Sequence, residues 1–158
     1  MSIEIRAAAP GDGAMLHGMI HELAVNHGAE QYFTAAPEDF DRMLADPRGI
    51  GGALLAFLDG APAGCATWQR MFSTFRGRET VYLEDLSVLP RFRSRGVGHA
   101  LLKAMAKLAL ARGTTRLHWL MMAWNDEARR FYLAAGAEVE DGNCYCTLEG
   151  AALERLGS

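Results

Sequence analysis

The sequence predicts an α/β (α+β) fold in which one mixed sheet carries helices on its faces. Three observations lead there. Two apolar runs flank an Asp59-Gly60 turn, the pattern of a β-hairpin, and a further run of β-formers follows. Beyond that run, strand-like and helix-like periodicities alternate to the end of the chain. With 158 residues, half of them apolar, the chain can bury a core of its own, so residues 1–158 are expected to form a single domain.

The elements follow in order. Ile3 and Ile5 alternate with polar neighbours as a short first strand. Pro10, Gly11 and Asp12 punctuate the entry to a helix reaching about Ala24, along which Leu16, Met19, Ile20 and Leu23 recur at helical spacing. Residues 26–36 read as a loop, and residues 37–45 as a second short helix with Pro37 suited to its first turn. Asp46, Pro47 and Gly49 end it. The hairpin arms are residues 52–58 and 63–72, and a strand over residues 80–88 is closed by Pro90. A strong helix over residues 98–111 sets Leu101, Leu102, Met105, Leu108 and Ala109 on one face before Gly113 stops it. Residues 116–122 read as a buried strand. Asn125 can cap a fourth helix over residues 126–135, with Gly136 at its C-terminal end, and closing strands are expected at residues 138–140 and 145–148. No internal repeat, low-complexity tract or linker interrupts this order.

Composition narrows the function classes. Cys65, Cys144 and Cys146 are odd in number and badly spaced for a secreted disulfide framework, so reduced thiols are expected. Cys144 and Cys146 alternate with Tyr145 and would share one face of a strand. Without a further Cys or His nearby they read as small buried hydrophobes, and no metal is implied. His17 and His21, one helical turn apart, lack an evident carboxylate partner and are assigned no role. The first ten residues carry no signal-peptide run, and no stretch approaches the roughly 20 apolar residues that span a bilayer, so a cytoplasmic protein is expected. A net charge of -3 argues against a nucleic-acid partner. One local exception stands out, where Arg91, Arg93 and Arg95 fall within five residues and Lys103 and Lys107 follow.

That cationic run sits in Pro90-Arg91-Phe92-Arg93-Ser94-Arg95-Gly96-Val97-Gly98, between a strand and a long helix. Such a segment presents successive backbone N–H groups at a helix N-terminus, where the positive end of the helix dipole attracts an anion. Glycines let that anion approach the backbone and arginines add charge. Neither G-x-x-x-x-G-K-[ST] nor G-x-G-x-x-G occurs, which removes the commonest nucleotide-binding loops. Gly96 and Gly98 alone would read as turn-formers; with the strand, the arginines and the helix, phosphate binding is the stronger reading.

Arg93-Ser94-Arg95-Gly96-Val97-Gly98 resembles the [RQ]-x-x-G-x-[GA] acetyl-CoA motif of the GNAT acetyltransferase superfamily, and the order of elements agrees along nearly the whole chain. More narrowly, the segment from Tyr82 to Val88, then Trp124-Asn125, Phe131-Tyr132 and Gly136-Ala137, resemble the diamine (spermidine/spermine) N-acetyltransferase branch. The resemblance implies a largely antiparallel central sheet with helices on both faces, a homodimer, and direct attack of an acceptor amine on the thioester in a ternary complex. It also implies that Glu84 helps remove a proton from the acceptor and that Tyr132 protonates the departing thiolate. The cofactor-binding residues it implies are Leu86 and Val88 toward the pantetheine, Arg93, Ser94, Arg95, Gly96, Val97 and Gly98 toward the pyrophosphate, and Asn125 toward the CoA arm. On the residues alone, Glu84 and Asp85 also read as a solvated strand-edge pair, Asn125 as a helix cap and Tyr132 as part of an apolar cluster.

The acceptor is a small-molecule primary amine on this reading. Residues 26–31 offer only Glu30 as an acid, and residues 72–78 contain no carboxylate, which disfavours a highly charged polycation. Arg76 and Arg78 could instead hold the carboxylate of a lysine-like acceptor. Two alternatives share the cofactor segment: an acyl-CoA-binding module without catalysis, and a protein acetyltransferase acting on a lysine or N-terminal amine.

Overall fold

Asp59 and Gly60 occupy the left-handed region, at φ 50° and 82°, and close the two-residue turn between β2 (Gly51–Leu58) and β3 (Ala61–Ser73). The computed structural model describes residues 1–143 and 145–157 and divides the chain into two units, Met1–Leu120 and Met121–Ser158.

In the first unit the hairpin is the centre of a five-stranded sheet completed by β1 (Ile3–Ala7), β4 (Arg78–Val88) and β5 (Leu117–His118). The spatial order follows the chain, β1-β2-β3-β4-β5; the first four strands pair antiparallel and β5 runs parallel to β4. Both faces are covered, which is why neighbouring residues of β2 such as Leu54 and Leu55 are both buried. One face receives α1 (Gly13–Asn26) and α2 (Pro37–Leu44), whose Leu16 and Met19 cluster with Ala53, Leu55, Cys65 and Leu89. The other receives α3 (Val97–Ala111), with Leu101 and Met105 fully buried. Gly64 lets β3 and β4 close up beneath α3, since a Cβ there would lie 2.4 Å from the Ser87 carbonyl oxygen. The expected loop over residues 26–36 contains one 3-10 turn, Glu30–Tyr32.

The predicted strand at residues 116–122 is shorter than its sequence suggests. Only Leu117 and His118 pair, opposite Val81 and Tyr82, and Leu120 is exposed. Pairing stops two residues before an irregularity in β4 at Glu84, where a strand bends and twists away from its neighbour.

The second unit contains α4 (Asp126–Ala134) and α5 (Gly150–Gly157). Asn125 caps α4, its Oδ1 accepting the Ala128 N–H at 3.0 Å. The expected strands at 138–140 and 145–148 are not formed. Arg129 of α4 instead holds Asp141 through both terminal guanidinium nitrogens, at 3.2 and 2.9 Å, and a three-residue alternation without a partner strand does not make a ladder. The pairing of Cys144 with Cys146 on one face concerns a residue outside the described set; Cys146 is exposed rather than buried.

Candidate active site

The β3–β4 register shifts once: Trp68 lies opposite Leu83 and Thr67 opposite Asp85, so Glu84 has no Cα partner. It is the extra residue of a β-bulge, a device that re-aims a side chain and breaks regular pairing. Two side chains of β3 answer the two carboxylates at this bulge. Gln69 Nε2 donates to Glu84 Oε2 at 2.7 Å. The Thr67 hydroxyl donates to Asp85 Oδ2 at 2.9 Å while accepting the Asp85 N–H at 3.1 Å. Burial and the neighbouring Asp85 charge push the Glu84 carboxyl above the usual range, against the Gln69 hydrogen bond. Asp85 is raised chiefly by burial, opposed by the Thr67 hydroxyl and by the charge of His27 just past the end of α1.

Past the bulge, no strand among the described residues pairs with the side of β4 away from β3. Leu89 N–H bonds to the Ala63 carbonyl at 2.9 Å, and Ser87 lies opposite Cys65 on the β3 side. By the two-residue alternation of an antiparallel ladder, the backbone groups of Leu86 and Val88 face away from β3, where pairing with β5 has already ended. The Arg93 guanidinium Nε donates to the outward Val88 carbonyl at 3.2 Å.

The chain then passes through a 3-10 turn, Pro90–Phe92, into Arg93, Ser94, Arg95 and Gly96. Ser94 and Gly96 have φ of 59° and 83°. Alternation of left-handed residues with ordinary ones turns successive N–H groups toward a common concavity, the arrangement that cradles phosphate. The first N–H bonded within this end of α3 belongs to Ala100, which reaches the Gly96 carbonyl at 3.0 Å. Val97, Gly98 and His99 therefore have no acceptor for their N–H groups within the helix. Arg93, Ser94 and Arg95 are exposed. Glu84, Leu86, Val88 and the Arg93–Gly98 segment thus lie on one continuous run of chain in the first unit.

Asn125 and Tyr132 belong to the second unit. Tyr132 is half-buried on α4, edge-on to Phe131 at a centroid distance of 5.1 Å, and burial pushes its phenol up to about 12. It is therefore an O–H donor throughout the physiological range. The capping role of Asn125 is observed and leaves its side-chain amide nitrogen outside that bond.

Sequence reasoning missed Gln69, Thr67 and His27. Nothing in a period-two pattern says which residues stand across a bulge. It also left His21 without a partner, whereas His21 Nε2 lies 3.1 Å from Glu30 Oε1, so the acid of the α1–α2 loop is engaged by a histidine of α1. His17 Nε2 lies 3.1 Å from the Ala35 carbonyl, and its ring packs at 5.1 Å from Phe33. Arg76 sits exposed in the β3–β4 connection and Arg78 is exposed as the first residue of β4. Among the described residues no group of three or more His, Cys, Asp or Glu is placed to hold a metal, and no helix is long and apolar enough to cross a membrane.

Comparison with known proteins gives the family and the fold. Residues 16–137 match the Acetyltransferase (GNAT) family. A thialysine N-epsilon-acetyltransferase of Bos taurus is 30% identical over 169 residues, covering 98% of this chain and 96% of that protein. An L-ornithine N5-acetyltransferase of Arabidopsis thaliana is 24% identical, with 99% and 88% covered. Among solved structures, an integron cassette protein from the mobile metagenome of V. cholerae superposes with a TM-score of 0.79 at 26% identity, over 99% of this chain and 98% of that one. An aminoglycoside acetyltransferase from an uncultured soil metagenomic sample shares the fold at 0.79 and 19% identity, over 93% of this chain and 97% of that one.

Proposed function

Since the chain belongs to the Acetyltransferase (GNAT) family, we propose that it transfers the acetyl group of acetyl-CoA to a primary amine of a small molecule: a polyamine, a diamine or a lysine-like amino acid. One observation carries this reading. A single stretch of chain presents, in order, a carboxylate pair at a bulge, a strand edge with outward backbone groups, and a turn of N–H groups at a helix N-terminus.

The residues fit an acyl-CoA. The Arg93 N–H is engaged by the Pro90 carbonyl at 3.2 Å, so the N–H groups of Ser94 to Gly98 are the ones that suit a pyrophosphate, with the Arg93 and Arg95 side chains adding charge, and Leu86 and Val88 offer backbone donors and acceptors to an amide-bearing arm. Asn125 is assigned to the same cofactor. Acetyl-CoA supplies a thioester that an amine can attack directly, without an acyl-enzyme. An alkyl amine, with a pKa of about 10.4, arrives protonated and must lose a proton before it is a nucleophile. Glu84 accepts that proton, directly or through a water, and a raised carboxyl is a better base than an ordinary one. Tyr132 keeps its proton at neutral pH and donates it to the departing thiolate.

The engagement of Glu30 by His21, with Arg76 exposed just before β4 and Arg78 exposed at its start, favours a lysine-like acceptor over a polycation. The thialysine and ornithine acetyltransferases among its relatives support that choice. The reading takes residues 1–158 as one catalytic domain acting as a cytoplasmic homodimer.

CoA release from acetyl-CoA is measured against spermidine, putrescine, lysine, thialysine, ornithine and a lysine-containing peptide, with Tyr132→Phe alongside. Turnover of a small amine that falls roughly 10²-fold or more in the variant is expected. Cofactor binding with no turnover would leave an acyl-CoA-binding module, and turnover of the peptide alone a protein acetyltransferase.

A further inference from the structure

A bulge residue lacks the cross-strand partner that normally sets side-chain direction, so something else must orient Glu84 if it is to accept a proton from one place. Gln69 does this. It stands on β3 opposite Tyr82, and its amide takes Glu84 Oε2 at 2.7 Å. That bond takes one carboxylate oxygen and leaves Oε1 outside it.

The donor's chemistry matters as much as its position. A neutral amide fixes the carboxylate without cancelling its charge, whereas a guanidinium at this distance would form an ion pair and suppress its basicity. An arginine is next in the chain, yet alternation sends Arg70 to the opposite face, where its guanidinium binds Glu79 at 2.6 Å. Arg112 reaches the same Glu79 from the C-terminal end of α3 at 3.0 Å. Two residues before Gln69, and on its face, Thr67 holds Asp85 in the same way, by a neutral hydroxyl. Asp85 bears on Glu84 by its charge, and His27 bears on Asp85.

We propose that Gln69 is a positioning residue for acetyl transfer: it clamps one oxygen of Glu84 across the bulge and so presents the other to the acceptor ammonium. The inference rests on the reading that Glu84 is the proton acceptor, and two readouts separate them.

The first is the pH profile of kcat/KM with acetyl-CoA and thialysine for wild type, Gln69→Met, Gln69→Glu and Glu84→Gln. The second, independent of turnover, is carboxyl ¹³C NMR titration, with the Glu84 resonance assigned by its loss in Glu84→Gln. The Gln69 hydrogen bond lowers the Glu84 pKa, so its removal moves both the acid limb and the NMR midpoint upward. In Gln69→Met the expected displacement is roughly 0.5–1 pH unit, with kcat about 3–10-fold lower and the acceptor KM within about twofold. Gln69→Glu, which sets a carboxylate in place of the donor, moves them further the same way. An unmoved limb and midpoint in both Gln69 variants, beside a limb lost in Glu84→Gln, would overturn the clamp and leave the base in place. A Glu84→Gln enzyme with wild-type activity and limb would overturn the base itself, and the catalytic role of Gln69 with it, whatever the NMR midpoint does.

Discussion

Burial raises the Asp85 carboxyl, while Arg6 pulls the Asp12 carboxyl the other way, down to about 2, through hydrogen bonds at 2.7 and 2.8 Å. The two acids therefore bear on stability with opposite signs. A carboxyl raised in the folded state binds more protons folded than unfolded, so stability falls as pH rises from the unfolded value, about 3.9, through the folded one. A carboxyl held at about 2 contributes stability above the unfolded value and loses it as pH falls through about 2. Asp85→Asn, which keeps an acceptor for Thr67, is expected to be more stable than wild type at pH 7 and indistinguishable from it below about pH 4. Asp12→Asn is expected to lose about 1–3 kcal/mol at pH 7 and progressively less toward pH 2. Urea denaturation of both variants across that range checks the signs. Neither sign was legible in the sequence, because Asp85 and Asp12 look alike as letters; burial in the fold raises the one, and Arg6 near the end of β1 lowers the other.

Elements were legible where a local period was long enough to choose between helix and strand. The hairpin, α2 and α3 emerged with boundaries close to those observed, because Asp59-Gly60, Pro37 and the Leu101-Met105-Ala109 stripe each state a local rule. The short β5, and the failure of residues 138–140 and 145–148 to form strands, were not legible, since a strand exists only where a partner edge continues. The α1 N-terminus shows a third case. Asp12 is the N-cap by position, but its side chain serves Arg6 and the Ala9 N–H. The orphan donors of Gly11 and Gly13 are taken by Asp41 of α2, at 2.8 and 2.9 Å. Gly13 is required there, since a Cβ would lie 2.5 Å from Asp41 Cγ. Capping is thus lent from one helix to another, and it ties the α1–α2 pair together. Asp41→Ala is expected to cost about 1–2 kcal/mol, the range of a strong cap, and to raise amide exchange in the first turn of α1 before elsewhere.

Over the whole molecule the charge is -3, and a CoA pyrophosphate is itself an anion, so the acetyl-CoA binding proposed above would have to be won locally. Two contributions are available along the segment leading into α3, and they respond differently to salt. Arg95 is exposed, so its attraction acts through solvent and is screened over a Debye length of about 10 Å at 0.1 M ionic strength. In the proposed site the N–H groups around Ser94 and Gly96 would act by contact at fixed geometry, and their arrangement depends on Gly96 holding φ at 83°, where a side chain is strained by about 1–2 kcal/mol. Arg95→Ala should therefore weaken acetyl-CoA binding by roughly 5–10-fold at low salt, with the difference from wild type shrinking toward 0.5 M salt. Gly96→Ala should weaken it by roughly 5–30-fold at every salt concentration, since strain is not screened. Calorimetric titration of both variants at two salt concentrations tells them apart. If both losses vanished at high salt, the site would be a diffuse cationic patch; if neither did, Arg95 would be in direct contact with the phosphate rather than steering it from solvent.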